Sequence, residues 1–367
     1  MARADSHARP AVEHTKIFLF SHPRTRSNLF ERLLQTHPQI MFNHCPLIEC
    51  FMRGPESQWP DELKEEAFKA SGLTKEEGDK QHVHLTYQAA LDDIEKTLAE
   101  AQEKGKFCLI KEHTAHTFDA DFLRPYVDYG QRPRPAMVDH KLDVTGSVEE
   151  AELQLPSPPF PNPTVLPDRL VATMTPVIII RHPAYVFPSW LRAAASYGAS
   201  VDSPKFKIPG SLRWQRFIYD FYRTYYDKID DEEKKGLPIV IDGDDLVEDT
   251  QGQMKKFCKL VGLDESGIQY SWESAGRPTD NVSNAFIGNL KESTGVIKGL
   301  VGFFDVPRLE IGEFETDELE QSFSRDPDLD EQVKKWTEEW DEETAGKLRE
   351  AVLSSLPDYR YLRTRCL

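Results

Sequence analysis

No glycine stands between Lys16 and Phe30, the stretch that follows the first apolar run. The Gly-x-x-x-x-Gly-Lys-Ser/Thr loop, whose glycines let backbone N–H groups close around phosphates, is therefore absent there. No apolar run approaches the ~20 residues that span a bilayer. Met1–His14 is polar and lacks the apolar segment of a secretory signal, so residues 1–14 read as a flexible tail. Cysteine is scarce. Cys45, Cys50, Cys108, Cys258 and Cys366 are odd in number and show no metal-ligand spacing, which points to free thiols, no metal and a reducing, cytoplasmic setting. Cys108 and Cys258 sit in apolar patterns and are expected to be buried. Basic residues are outnumbered, 45 Lys and Arg against 62 Asp and Glu, a net charge of −17. That balance argues against a nucleic-acid face. It leaves room for a local anion pocket, because charges beyond roughly 8–10 Å are screened at physiological salt. No internal repeat is visible.

What is present is a 367-residue chain with 39% hydrophobic residues, enough for one large α/β domain or two ordinary ones. Its first confident strand, Lys16 to Ser21, runs into His22-Pro23-Arg24-Thr25-Arg26-Ser27-Asn28. A helical pattern follows, with Leu29, Phe30, Leu33 and Leu34 on one face. The first turn of such a helix offers unbonded N–H groups and a favourable dipole to an anion, and Arg24 and Arg26 add forked donors. The same residues also fit an ordinary β–α turn with solvated arginines. A second unit repeats the design: Val177–Ile180 ends in Arg181-His182-Pro183, with Pro183 suited to a first helical turn.

Between these units, Phe107–Ile110 reads as a buried strand ending in Lys111-Glu112-His113-Thr114-Ala115-His116. Ligands in open α/β sheets lie beyond the carboxyl ends of strands, which makes this end a place for chemistry. His116 is expected to be solvated there. Residues 129–175 are rich in proline and too irregular for core elements, which predicts a surface insertion or a lid. The rings of Leu212–Ile229 are expected to pack in the core. Asp242, Asp244 and Asp245 follow a strand at Leu237–Ile241 and fit helix capping better than a metal site. Lys291 and Lys298 lie in a Gly/Ser/Lys segment, either a surface loop or one that folds over a polyanion. Residues 313–367 read as a peripheral helical cover packed through Trp336 and Trp340.

Taken together these segments resemble the sulfotransferases that use 3′-phosphoadenosine 5′-phosphosulfate. Pro23 to Asn28 stands where that family has its 5′-phosphosulfate loop. Lys111-Glu112-His113 matches its Lys-x-His strand end. Arg181, Pro183 and Ser189 match its 3′-phosphate spacing, and Asp244-Asp245-Leu246 is a weaker fourth match. The chain departs from the pattern at Arg26, which replaces the loop glycine, at Asn28 in place of a hydroxyl, and at Leu29 where many members have tryptophan.

The resemblance implies a three-layer α/β/α fold with a central, mostly parallel, P-loop-like sheet over about 15–312. It implies in-line sulfonate transfer to a hydroxyl or amine of a small organic acceptor. His113 would then be the general base, with Arg24 and Lys111 stabilising charge. Arg24, Thr25, Arg26, Ser27, Asn28, Arg181 and Ser189 would bind the donor, and Lys291 and Lys298 stand in for a missing C-terminal Arg-Lys-Gly segment. No nucleic-acid or membrane partner is implied, and the oligomeric state is open. A P-loop kinase or nucleoside triphosphatase, or a repurposed member in which Arg26 blocks the donor, are the alternatives.

Overall fold

Five short apolar strands assemble into one sheet: β1 (Lys16–Ser21), β2 (Ile40–His44), β3 (Phe107–His113), β4 (Thr175–Ile180) and β5 (Ile239–Asp242). Their order is β2-β3-β1-β4-β5, and every pairing is parallel. The computed structural model describes residues 16–126, 131–140, 161–195, 198–229, 236–271 and 326–367. Successive strand residues point to opposite faces, yet β3 and β5 are buried at every position and β1 and β4 at all but the first. Both faces are therefore covered, the condition that parallel sheets require. The result is the three-layer α/β/α arrangement expected from the sequence.

The flanking helices used below are α1 (Ser27–Gln35), α2 (Tyr87–Glu103), α3 (Pro183–Ala195), α4 (Arg213–Tyr226), α5 (Gly243–Glu248), α6 (Thr250–Val261), α7 (Leu329–Glu339) and α8 (Glu342–Arg363). Their sequences explain them. α2 buries Tyr87, Ala90, Leu91, Ile94 and Leu98 on one stripe, and Thr86 caps it by accepting from Ala89 N–H at 3.0 Å. α6 ends at Gly262, which takes the left-handed conformation that a side chain would disfavour. The rings of α4 lie in the core as expected: Tyr222 packs on Phe20 of β1, and Trp214 is buried. Cys108 and Cys258 are buried free thiols.

After β1 the chain moves to one side of the sheet for β2 and β3, then crosses back for β4 and β5. The reversal falls between β1 and β4, so the carboxyl ends of those two strands border a crevice.

Two expectations need correction. Residues 161–175 belong to the core: Leu166, Leu170, Val171 and Met174 are buried, and Asp168–Thr173 is a helix. Its six residues are too few to show a period, and the neighbouring prolines mask it. Residues 131–139 do lie outside helix and strand, fastened to their surroundings by Arg132–Asp61 at 2.6 Å and Gln58–Pro133 at 2.8 Å. The C-terminal segment packs through Trp336 and Trp340 as expected, but it is more than a peripheral cover. Trp336 of α7 is buried in a cluster with Phe187 and Trp190 of α3. Beyond α8, Cys366 bridges to Val240 in parallel and Leu367 N–H donates to Val240 O at 3.1 Å, so the tail extends the sheet edge at β5. Lys291 and Lys298 lie outside the described residues.

Candidate active site

The loop after β1 bends through two left-handed residues, Arg24 at φ 66° and Arg26 at φ 65°. Such conformations cost a non-glycine residue about 1–2 kcal/mol each. Arg26, at the position where the resemblance expects glycine, thus adopts a glycine's backbone conformation and stands at the N-cap of α1. Thr25 steadies the bend by donating its hydroxyl to His22 O at 2.7 Å and is fully buried. Within α1 the backbone N–H groups of Ser27 and Asn28 precede the first helical acceptor, whereas Leu29 and Phe30 donate to Arg26 O.

The second basic turn comes against the first. Arg24 Nε donates to Ser189 Oγ of α3 at 2.9 Å, joining segments 165 residues apart. Arg181, at the end of β4, donates through Nε to Asp244 Oδ1 at 2.8 Å, and its guanidinium lies over the Tyr185 ring at 5.3 Å. Arg26 Nε stands 3.2 Å from the same Asp244 oxygen. Burial and the nearby guanidiniums of Arg181 and Arg192 push the Arg24 pKa down. Burial and Arg181 do the same to Arg26, against the pull of Asp244. Like charges thus converge at this crevice and resist one another.

The carboxylates after β5 divide their work. Asp242 accepts from Asp244 N–H at 2.8 Å, the capping expected of it. Asp244 serves the arginines, and Asp245 pairs with Arg363 of α8 at 2.8 Å. Gly243 permits this approach, since a Cβ there would stand 2.2 Å from Thr25 O. Sequence reasoning missed Gly243 as a contact residue, and it missed Arg363 and Tyr359, whose hydroxyl bonds Asp242 at 2.9 Å. A glycine between two aspartates at a strand end was the one available signal.

At the end of β3, strand alternation puts Lys111 and His113 on one face. The register pairs His113 with Ser21, and His113 Nδ1 lies 3.0 Å from Ser21 Oγ. Ser21 gives its only hydroxyl proton to Glu112 O at 3.0 Å, so Nδ1 carries the donating hydrogen and Nε2 keeps a lone pair. Burial, then His116, Lys111, His22 and His44, lower the His113 pKa well below the usual range. The ring is neutral at physiological pH. Lys111, expected to add charge at the reacting group, is 1% exposed and spends its ammonium on Asn28 Oδ1 at 2.5 Å and Glu31 at 3.1 Å. Burial opposes its charge, but Glu31, Cys45 and Glu112 together raise its pKa. His44 completes the group on Glu31 at 2.6 Å.

His116 is not solvated, contrary to expectation. It is buried and lies 2.9 Å from Glu112 Oε1, while Glu112 also accepts Leu47 N–H and His113 N–H, each at 2.7 Å. The 3₁₀ turn at Thr114–Thr117 folds it back under Phe51, ring to ring at 4.7 Å. A strand end continued by a tight turn gives no sequence sign of that reversal.

These features define a class: a parallel α/β protein with an arginine-lined crevice at its topological switch point and a neutral histidine at the neighbouring strand end. No family model matches the chain. It is 25% identical over 366 residues to Sulfotransferase ppzF of Metarhizium majus (strain ARSEF 297), covering 95% of this chain and 96% of that one. It is 24% identical over 367 residues to Sulfotransferase ppzF of Metarhizium rileyi (strain RCEF 4871), covering 96% of each. A solved structure, the sulfotransferase domain of the Synechococcus PCC 7002 olefin synthase, aligns over 86% of this chain and 98% of its own, with TM-score 0.33 and 15% identity. Over nearly its whole length the chain is thus similar to proteins named sulfotransferases.

Proposed function

We propose that this protein transfers a sulfonate group from 3′-phosphoadenosine 5′-phosphosulfate to a hydroxyl or amine of a small organic acceptor. The observation that carries the reading is the convergence of Arg24, Arg26 and Arg181 from two strand ends onto one crevice. Each is engaged through Nε, and none has a terminal nitrogen bonded among the described residues. Those forks suit the several anionic oxygens of a doubly phosphorylated donor.

The donor supplies the transferable sulfonate. Arg24 neutralises charge where the S–O bond to the departing phosphate breaks, the largest kind of contribution in such transfers. Backbone N–H groups at Arg26, Ser27 and Asn28 hold the 5′-phosphate, with Thr25 fixing the bend. Arg181 and Ser189 take the 3′-phosphate, and Ser189 Oγ, already accepting from Arg24, still has a proton to donate. His113 removes the acceptor's proton through Nε2 as the new bond to sulfur forms. Lys111 fixes Asn28 and Glu31 beneath the loop. Arg26 in its left-handed conformation leaves the loop path open, which weighs against a blocked, repurposed member. Among the described residues no helix is long and apolar enough to cross a membrane; we place the enzyme in the cytoplasm with a small-molecule acceptor.

Thermal unfolding tests the donor assignment. Adenosine 3′,5′-bisphosphate at about 100 times its Kd should add roughly 2.7 kcal/mol of apparent stability. ATP with Mg²⁺ should add less at equal concentration. The reverse order would favour a kinase or nucleoside triphosphatase.

A further inference from the structure

Every described hydrogen bond and ion pair of the three crevice arginines is made through Nε, and for two of them it comes from one carboxylate. Asp244 Oδ1 accepts the Arg181 Nε–H at 2.8 Å and lies 3.2 Å from Arg26 Nε, an ion pair there rather than a well-aligned hydrogen bond. An arginine held at Nε keeps both terminal nitrogens for a ligand, and a planar guanidinium fixed at one edge has little freedom left at the other. The carboxylate is itself fixed. Gly243 admits α5 to within contact of Thr25 O, and Asp242 holds the Asp244 N–H at 2.8 Å. On the far side Tyr359 and Arg363 of α8 hold Asp242 and Asp245. Asp244 is only slightly exposed, as are both arginines. Three guanidiniums against one carboxylate leave the crevice net positive.

We infer that Asp244 is a positioning residue for the anion crevice, presetting Arg181 and Arg26 so that their free ends meet a phosphorylated donor together. The inference rests on the proposed donor site and adds its supporting wall. It also explains how the chain accommodates an arginine at the loop position where glycine was expected: the extra cation comes with a carboxylate partner across the crevice. Preorganisation of this kind reduces the ordering cost that binding must meet.

Asp244→Asn keeps the size and removes the charge. By calorimetry it should weaken adenosine 3′,5′-bisphosphate binding about tenfold or more, the scale of one hydrogen bond to a charged group. Donor KM should rise, with acceptor KM unchanged and kcat little altered, a split that general structural damage would not give. Unchanged or tighter binding overturns the inference, since a carboxylate that merely competes with the donor would be relieved by the substitution. A ligand-free measurement stands beside it. In protein carrying ¹⁵N at arginine Nε, the Arg181 Nε–H should exchange slowly with solvent in the wild type and rapidly in Asp244→Asn. Fast exchange in the wild type overturns the inference even if the variant fails to fold. If the wild type binds no bisphosphate, the donor assignment fails while the Nε–H signal still decides on Asp244.

Discussion

Two neighbouring charge groups at the carboxyl ends of the strands are built on opposite plans. Beneath the loop, Lys111, Glu31, His44 and Asn28 form a closed set in which each charge meets its partner inside the protein. At the crevice, Arg24, Arg26 and Arg181 outnumber their one carboxylate and sit partly open. Burying a charge is tolerable only when it is paired and hydrogen-bonded, so the closed set has to be complete. The open set is electrostatically unfinished, and under the proposed function an anion from solution finishes it. Charge count already separates the two, a matched lysine and glutamate against three arginines facing one aspartate. What further separates structural from ligand-seeking charge here is which atoms of each side chain are already occupied.

The comparison breaks most sharply at His113, which belongs to neither set. His113→Ala should lower turnover ~10²–10⁴-fold while bisphosphate binding by calorimetry stays within a factor of a few. Full turnover in the variant would remove the base assignment. The crevice is tested by its opposite: Arg181→Ala should weaken bisphosphate binding by roughly 10- to 100-fold, the cost of a hydrogen bond to a charged group. Lys111→Met strands Glu31 in the closed set and should cost about 3–5 kcal/mol in chemical unfolding, with bisphosphate affinity of the folded fraction far less affected. If both variants lost stability and affinity alike, the division would not hold.

The smallest effect is on pH. His22 and His182 are held neutral with pKa values lowered to about 4, chiefly by burial, and burial also lowers His113 well below its usual range. The unfolded chain binds these protons near pH 6.5, so it carries more protons than the native state below that pH. Stability should therefore be fully present above about pH 6.5 and fall as pH drops toward 4, in proportion to the unfolded state's extra protons. The Glu31 pKa is also lowered, to about 2, by Lys111 and His44 acting against its burial. Its contribution is present above its ordinary range and is lost only below pH 4.5. Unfolding midpoints measured from pH 7.5 to 4 would show the first loss without the second; a flat profile would mean that the buried rings are charged.

Strands were the most legible part of the chain, because Ile17–Phe20 and Val177–Ile180 are unbroken apolar runs that only a sheet covered on both sides can use. The basic turns were legible as turns. What lay beyond the sequence was their joining, since Arg24 and Ser189, or Arg26 and Asp244, meet only when β1, β4 and β5 are set side by side. Arg26 showed as a departure from glycine, but nothing local said that an arginine would keep the left-handed backbone. His116 misled because exposure at a strand end depends on where the next turn goes. Residues 161–175 misled because prolines hide a six-residue helix.

The placement of α8 bears on the order in which the molecule is finished during synthesis. The strands and arginines of the crevice are all translated before residue 243, but the side chains that brace Asp242 and Asp245 on either side of Asp244 arrive with Tyr359 and Arg363. A nascent chain therefore holds its cationic wall before it holds the brace for the carboxylate facing it. Until α8 docks, Asp242 and Asp245 lack the partners that Tyr359 and Arg363 provide.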